Sequence, residues 1–125
     1  MEKKTPDDIC PDFPEWPSRW MGVERDLAYG RDLLEAMRPF VEDLIARGLK
    51  SRTIRNHMDN LWLLGGEIIR NVSTRHEYDI PPIQKIREMV GPDGGPYCQH
   101  LFSEREWVSY DRTCRRLAAF LGHNE

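Results

Sequence analysis

The sequence has few cysteines, no long apolar run and no excess of positive charge. Its 125 residues include Cys10, Cys98 and Cys114, an odd number without paired spacing, which predicts reduced thiols and argues against a disulfide framework. No apolar run is long enough for a transmembrane helix, and the first residues lack the apolar core of a signal peptide. We therefore expect a cytoplasmic protein without a membrane partner. A net charge of −3 argues against coating nucleic acid through bulk charge alone.

The chain also lacks the residue patterns of catalysis and metal binding. Its four histidines are scattered, and Cys98 and His100 form the only close cysteine–histidine pair, whereas a zinc site needs four ligands with recognisable spacing. No serine, cysteine or tyrosine lies in a nucleophile motif such as G-x-S-x-G. The sequence therefore predicts no enzyme, no metal site and no cofactor.

What the chain does contain is enough apolar material for one folded domain. Hydrophobic residues make up 39% of it and charged residues 31%, the balance of a globular protein that buries about two-thirds of its unfolded surface. Residues 23–125 are predicted to form one helical domain. Residues 1–22 contain four prolines and are predicted to form an extended arm. Its aromatic residues, Phe13, Trp16 and Trp20, would either pack along the folded body or grip a partner.

Apolar residues at three- and four-residue steps predict four helices after the arm. The first starts near residue 24, kinks or restarts at Pro39 and ends at Gly48. The second is capped by Ser51 and runs for about 22 residues, with Gly65 placed where another helix crosses closely. The third covers roughly residues 82–90.

The last predicted helix has a complete entry signature. Ser103 and Glu106 form a capping box, and Phe102 and Trp107 are placed to form a hydrophobic staple. No window alternates apolar and polar residues as a strand would. The sequence thus predicts an all-α, four-helix bundle, with a core made of Leu34, Met37, Val41, Leu44, Ile54, Met58, Leu61, Trp62, Ile68, Trp107, Leu117 and Leu121.

Positive charge is concentrated in one segment of the chain. Residues 47–75 carry six Lys/Arg and two Asp/Glu, a net of +4, whereas residues 1–46 have a net of −5 and residues 76–125 a net of −2. Such asymmetry indicates where an anionic partner would bind. The polar face of the second helix begins with Arg52, Arg55, Asn56 and Asp59, which share one surface at steps of i, i+3, i+4 and i+7. The helix entry adds Lys50, Ser51 and Thr53.

A helix start of this composition is suited to phosphate binding. Backbone N–H groups, hydroxyls and arginines converge there, and from this position Arg55 and Asn56 could reach base edges. The last helix has a second basic stripe, formed by Arg105, Ser109, Arg112 and Arg116. One such stripe is typical of a solubilising face, whereas two on packed helices favour nucleic-acid binding.

The order of these elements resembles that of a known family. Residues 40–57 read FVEDLIARGLKSRTIRNH, an apolar helix, a Gly-Leu turn with Ser and Thr, and a second amphipathic helix. This is similar to the "G-L-S-x-x-T" pattern in the N-terminal core-binding, SAM-like domain of tyrosine recombinases and phage integrases. The resemblance covers roughly residues 31–121, with the third and last helices in the remaining two places.

In that family the second and fourth helices lie against DNA as part of a clamp. The resemblance therefore implies contacts with double-stranded DNA through Lys50, Ser51, Arg52, Thr53, Arg55 and Asn56, together with Arg112, Arg115 and Arg116. The family's catalytic domain has no counterpart here, so a non-catalytic DNA-binding chain is expected, and Tyr110 is not expected to be a nucleophile. The alternative is a small protein-binding module, a regulator or inhibitor of another complex, that grips its partner through Phe13, Trp16 and Trp20.

Overall fold

The computed structural model describes residues 4–123, and its regular structure is helical. Three long helices form the body, α3 (Arg25–Ala46), α4 (Ser51–Arg75) and α6 (Glu104–His123), with the shorter α5 (Pro82–Met89) between the last two. They are preceded by α1 (Pro6–Ile9), a 3₁₀ turn (Phe13–Glu15) and α2 (Trp16–Trp20). No strand occurs in the described residues, where one isolated bridge joins Gly91 and Gly94. The predicted all-α class is confirmed.

The N-terminal segment is not the extended arm that its prolines predict. Thr5 caps α1, since its hydroxyl accepts a hydrogen bond from Asp8 N at 3.2 Å while the Asp8 carboxylate accepts one from Thr5 N at 2.8 Å. Each short helical element carries a proline at its first or second position, where no intrahelical N–H donor is needed. These prolines therefore start helices instead of preventing them.

The aromatic residues of this segment belong to the core. Phe13, Trp16 and Trp20 are 0%, 1% and 9% exposed, and the rings of Phe13 and Trp16 pack edge to face, 4.7 Å apart. This confirms that the segment packs along the body. The alternative, in which these three aromatic residues grip a partner, is not compatible with their burial, because they offer no surface for it.

Two features of α3 and α4 differ from the sequence-based expectation. Helix α3 runs continuously through Pro39 and so does not restart there; it ends before Gly48, whose φ of +77° favours glycine. Helix α4 has Lys50 at its N-cap, without a side-chain capping bond, and Ser51 is its first helical residue. Ser51 is thus not the cap, and its hydroxyl is available for another contact.

The entry to α6 is confirmed in part. The Ser103 hydroxyl accepts from Glu106 N at 3.1 Å, and the Glu106 carboxylate accepts from Ser103 N at 3.0 Å, which completes the capping box. The staple does not form, since Phe102 is 85% exposed. Trp107 packs instead against Tyr97 and Tyr110, at ring-centroid distances of 5.5 and 5.9 Å.

The predicted core is buried except at two positions. Trp62 is 40% exposed and Trp107 is only partly buried. Trp62 lies at the edge of α4 beside Arg19, where the N-terminal helices cover only part of its ring. The helical spacing predicted Trp62 as a core residue, but the fold leaves this edge of the apolar stripe of α4 partly exposed.

Candidate nucleic-acid interface

Helices α4 and α6 are joined by a buried polar seam. The Asn60 amide nitrogen donates to the Ser109 carbonyl at 3.1 Å and to the Thr113 hydroxyl at 2.9 Å. His57 Nδ1 lies 2.7 Å from the same Thr113 oxygen. Along α4, His57 comes before Asn60, whereas along α6 its partner Thr113 comes after Ser109, the partner of Asn60. The two helices therefore run antiparallel. The two basic stripes predicted from the sequence therefore lie on neighbouring helices.

The residues beside this seam form one exposed surface. Thr53 and Asn56 precede His57 and Asn60 by four residues each, so they lie on the side of α4 that faces α6. On α6, Arg112 and Arg116 follow the seam residues Ser109 and Thr113 by three residues each, so they lie beside the seam as well. With Arg52, these side chains form what we call the seam surface, and all of them are exposed except Arg116, which is half-buried.

The arginines of the seam surface are not neutralised by carboxylates. Within the described residues, none of Arg52, Arg112 and Arg116 forms an ion pair. By contrast, Arg47 contacts Asp43 at 2.8 Å, and Arg75 contacts Glu77 at 3.1 Å. An arginine without a carboxylate partner offers its full charge and its planar set of donors to a phosphate.

His57 reports the positive potential at the seam. It is 7% exposed, and burial lowers its pKa below the usual range, with Arg116 and then Arg112 lowering it further. The imidazole is therefore held in its neutral form. The effect shows that both arginines lie close enough to act electrostatically on the ring.

Arg55 lies on a different side of α4 from the seam. Its Nε is 3.3 Å from the Asp59 carboxylate, and its Nη1 donates to the Ile9 carbonyl oxygen at 3.4 Å. Asp12 also lies nearby and contributes to raising the Arg55 pKa, after the larger effect of the Asp59 hydrogen bond. The fold therefore turns Arg55 towards the N-terminal helices and away from Arg112 and Arg116.

The start of α4 gains a cation that sequence analysis missed. The Lys4 amine donates to the Ser51 hydroxyl at 2.8 Å, while Lys50 is exposed beside it. Only the folding of the N-terminal helices onto α4 brings Lys4 here, so an arm assumed to be extended gave no signal of it. Arg115 is exposed on α6, three residues after Arg112, at the margin of the seam surface.

The N-terminal end of α6 is less favourable to an anion than its middle. A depression of about 590 Å³ beside the seam is lined by Glu104, Arg105, Val108, Ser109 and Arg112. The Glu104 carboxylate is exposed there and would repel phosphates. The basic part of the surface is therefore the half built from the first turns of α4 and the middle of α6.

The cysteines are buried thiols. Burial, followed by a hydrogen bond to Asp12, raises the pKa of Cys10 to about 11, and burial raises that of Cys114 to about 12. Both are therefore protonated near neutral pH and are poor nucleophiles. Across residues 4–123, no three side chains of His, Cys, Asp or Glu are grouped to hold a metal ion.

Two exposed aromatic residues were also missed by sequence analysis. Tyr97 is 76% exposed and Phe102 is 85% exposed, both in the segment before α6. Phe102 was expected in a staple, and Tyr97 lies in a turn-rich loop without helical periodicity. Neither position gave a sequence signal of surface exposure.

Comparison with known proteins identifies no relative. No family model, no curated protein and no solved structure matches the chain. Among the described helices, none is both long and apolar enough to cross a bilayer. Function must therefore be inferred from the chain's own residues.

Proposed function

We propose that this chain is a non-catalytic, cytoplasmic protein that binds double-stranded DNA through the seam surface. The observation that carries the proposal is that Arg52, Arg112 and Arg116 lie on two neighbouring helices and that none of them has a carboxylate partner within residues 4–123. Arginines in this setting bind phosphate oxygens and fix a protein on the duplex. The helix order that resembles a recombinase core-binding domain supports the same partner.

Polar residues between the arginines add to the support for DNA. Thr53 and Asn56 are exposed beside Arg52, and an asparagine amide is the group that pairs with an adenine edge in the major groove. Lys4 and Lys50 extend the positive surface to the start of α4. With a net charge of −3 for the whole chain, binding should depend on this local surface and be weak on random sequence.

A titration against random duplex DNA at low and moderate salt tests the proposal. Affinity should fall with salt, with a slope of about 0.9 per phosphate contacted. The double substitution Arg112→Ala, Arg116→Ala should weaken binding and reduce that slope by about two. Arg19→Ala with Arg75→Ala removes the same charge from residues that are already ion-paired, and it should leave the slope nearly unchanged. Absence of binding by the wild type at low salt would exclude non-specific DNA recognition.

The protein-binding alternative is favoured by the exposed rings of Tyr97 and Phe102, since aromatic residues are enriched at interfaces. It uses neither Trp16 nor Trp20, which are buried. Replacing Tyr97 and Phe102 with serine should remove a bound protein in a pull-down and leave DNA affinity unchanged. If the double variant retains every partner of the wild type, this alternative is wrong.

A further inference from the structure

His57 lies directly beneath the arginines of the seam surface. Its Nδ1 lies against the Thr113 hydroxyl in the buried part of the seam. The residue is 7% exposed, so a small part of it reaches the surface. The ring thus connects the interior of the seam to the proposed DNA surface.

The seam can accommodate His57 in either protonation state. The neutral ring can accept a hydrogen bond at Nδ1 from the Thr113 hydroxyl. When the ring is charged, Nδ1–H must donate to that oxygen, and the hydroxyl hydrogen can turn to the Ser109 carbonyl, 3.3 Å away. Since Asn60 donates to the same hydroxyl oxygen in both states, every partner in the network stays satisfied.

The charges around His57 are all of one sign. From α6, Arg116 and Arg112 act on the ring, and no charged side chain of α3, α5 or the N-terminal helices contributes among the described residues. In the part of the chain that the structure describes, no carboxylate offsets the effect of the two arginines on the ring. Phosphates bound on the seam surface would supply the missing negative charge next to the imidazole.

We infer that His57 takes up a proton when DNA phosphates occupy the seam surface, so that the protein binds double-stranded DNA more tightly at acidic pH. This inference rests on the proposed function, since it needs an anionic partner at Arg112 and Arg116. Binding partly neutralises the arginines and favours the imidazolium. By thermodynamic linkage, a bound proton must then favour the bound DNA to the same extent.

The direct test is an NMR titration of the His57 ring in the wild-type protein, free and bound to a random duplex at fixed salt. The midpoint of the His57 titration should lie at higher pH in the complex. The dissociation constant should fall as the pH is lowered from 8 to 6, by no more than about tenfold per pH unit, which is the limit for a single proton.

Two variants separate His57 from other groups. His57→Asn keeps a hydrogen-bonding group near Thr113 but cannot titrate, and it should bind DNA with a flatter pH dependence than the wild type. His76→Asn is the matched control, because His76 is an exposed residue at the far end of α4 with a φ of 55° that asparagine tolerates. This control should keep the wild-type pH dependence.

The outcomes distinguish the two proposals. Binding with an unchanged His57 titration, or an equal pH dependence in His57→Asn and the wild type, overturns the proton coupling and leaves DNA binding intact. Failure to bind duplex at any pH overturns both, since the coupling requires the partner.

Discussion

The indole ring of Trp20 lies directly against the backbone of Gly65, where a Cβ atom would overlap the ring. The indole Nε1 also donates to the Trp62 carbonyl oxygen, 2.9 Å away. Helix α2 is therefore fixed to α4 both by close packing and by a hydrogen bond. A glycine within the apolar stripe of α4 is explained by this approach.

The contact predicts opposite effects of alanine at two adjacent glycines. In a helix interior, alanine is favoured over glycine by about 1 kcal/mol. Gly65→Ala should nevertheless destabilise the protein by about 1–3 kcal/mol, because the methyl group displaces the Trp20 ring. Gly66→Ala places its methyl 3.7 Å from Trp20, an ordinary contact, and should be neutral or stabilising. Urea unfolding of both variants measures the difference, and equal effects would contradict the packing described here.

Sequence analysis located the long helices because their signals are local. Apolar spacing, the Ser103–Glu106 capping box and the glycine after α3 each act within one or two turns of chain. These features are confirmed by the hydrogen bonds at Ser103 and the positive φ at Gly48.

What local patterns could not supply is the pairing of distant residues. The prolines of residues 1–22 allow both an extended chain and the first turn of a helix, and packing on α3 and α4 decides between them. The close approach at Gly65 was expected, but not its origin in Trp20, 45 positions earlier in the chain. Long-range contacts of this kind depend on the whole fold.

For the candidate site too, local sequence patterns predicted the helix faces but not the contacts between helices. The basic start of α4 and the stripe on α6 could be read from helical spacing. The His57–Thr113 contact brings Arg112 and Arg116 to one side of α4. Arg55 lies on another side, where it contacts Ile9. No pattern within a single helix specifies which face its neighbour covers.

The pairing of Arg55, which Arg52 lacks in the described residues, leads to a prediction about DNA binding. Arg55 is already paired with Asp59, so Arg55→Ala should weaken binding to random duplex less than Arg52→Ala does. Titrations at low salt measure both affinities, with circular dichroism as a check that each variant is folded. A larger loss of affinity in Arg55→Ala would place the DNA on the side of the N-terminal helices.

Asp26 is predicted to be a stabilising buried carboxylate. It is 2% exposed, and it accepts hydrogen bonds from the Tyr78 hydroxyl at 2.6 Å and from the N–H groups of Gly22 and Val23 at 2.9 and 3.1 Å. Burial opposes its charge, but these donors hold the pKa of Asp26 below the usual value. Asp26→Asn should cost about 1.5–3 kcal/mol, because an amide nitrogen would face a donor.

The measurement for Asp26 is urea unfolding at pH 7 and at lower pH. Because the folded pKa is depressed, the stabilisation is present above about pH 4 and is lost as the pH falls through the folded value. The difference between wild type and Asp26→Asn should therefore shrink in acid. Asp32→Asn, an exposed change on the same helix, should alter stability by less than about 0.5 kcal/mol. Equal effects of the two substitutions would show that the Asp26 hydrogen bonds contribute little.

The pKa of His57 predicts how stability changes in mild acid, without DNA. Burial, Arg116 and Arg112 lower the pKa of the folded ring, so the unfolded chain takes up a proton first as the pH falls below about 6.5. Stability should therefore decrease as the pH falls from about 6.5 through the folded pKa, by at most about 1.4 kcal/mol per pH unit.

His57→Asn should lack this decrease above pH 5, where the buried carboxylate Asp26 stays charged in both proteins. Removing Arg112 and Arg116 should raise the folded His57 pKa, measured by NMR, so the loss of stability should be smaller than in the wild type and should end at a higher pH. Urea unfolding of the three proteins between pH 5 and 8 measures these differences, and the same slope in all three would show that His57 is not held neutral by the seam.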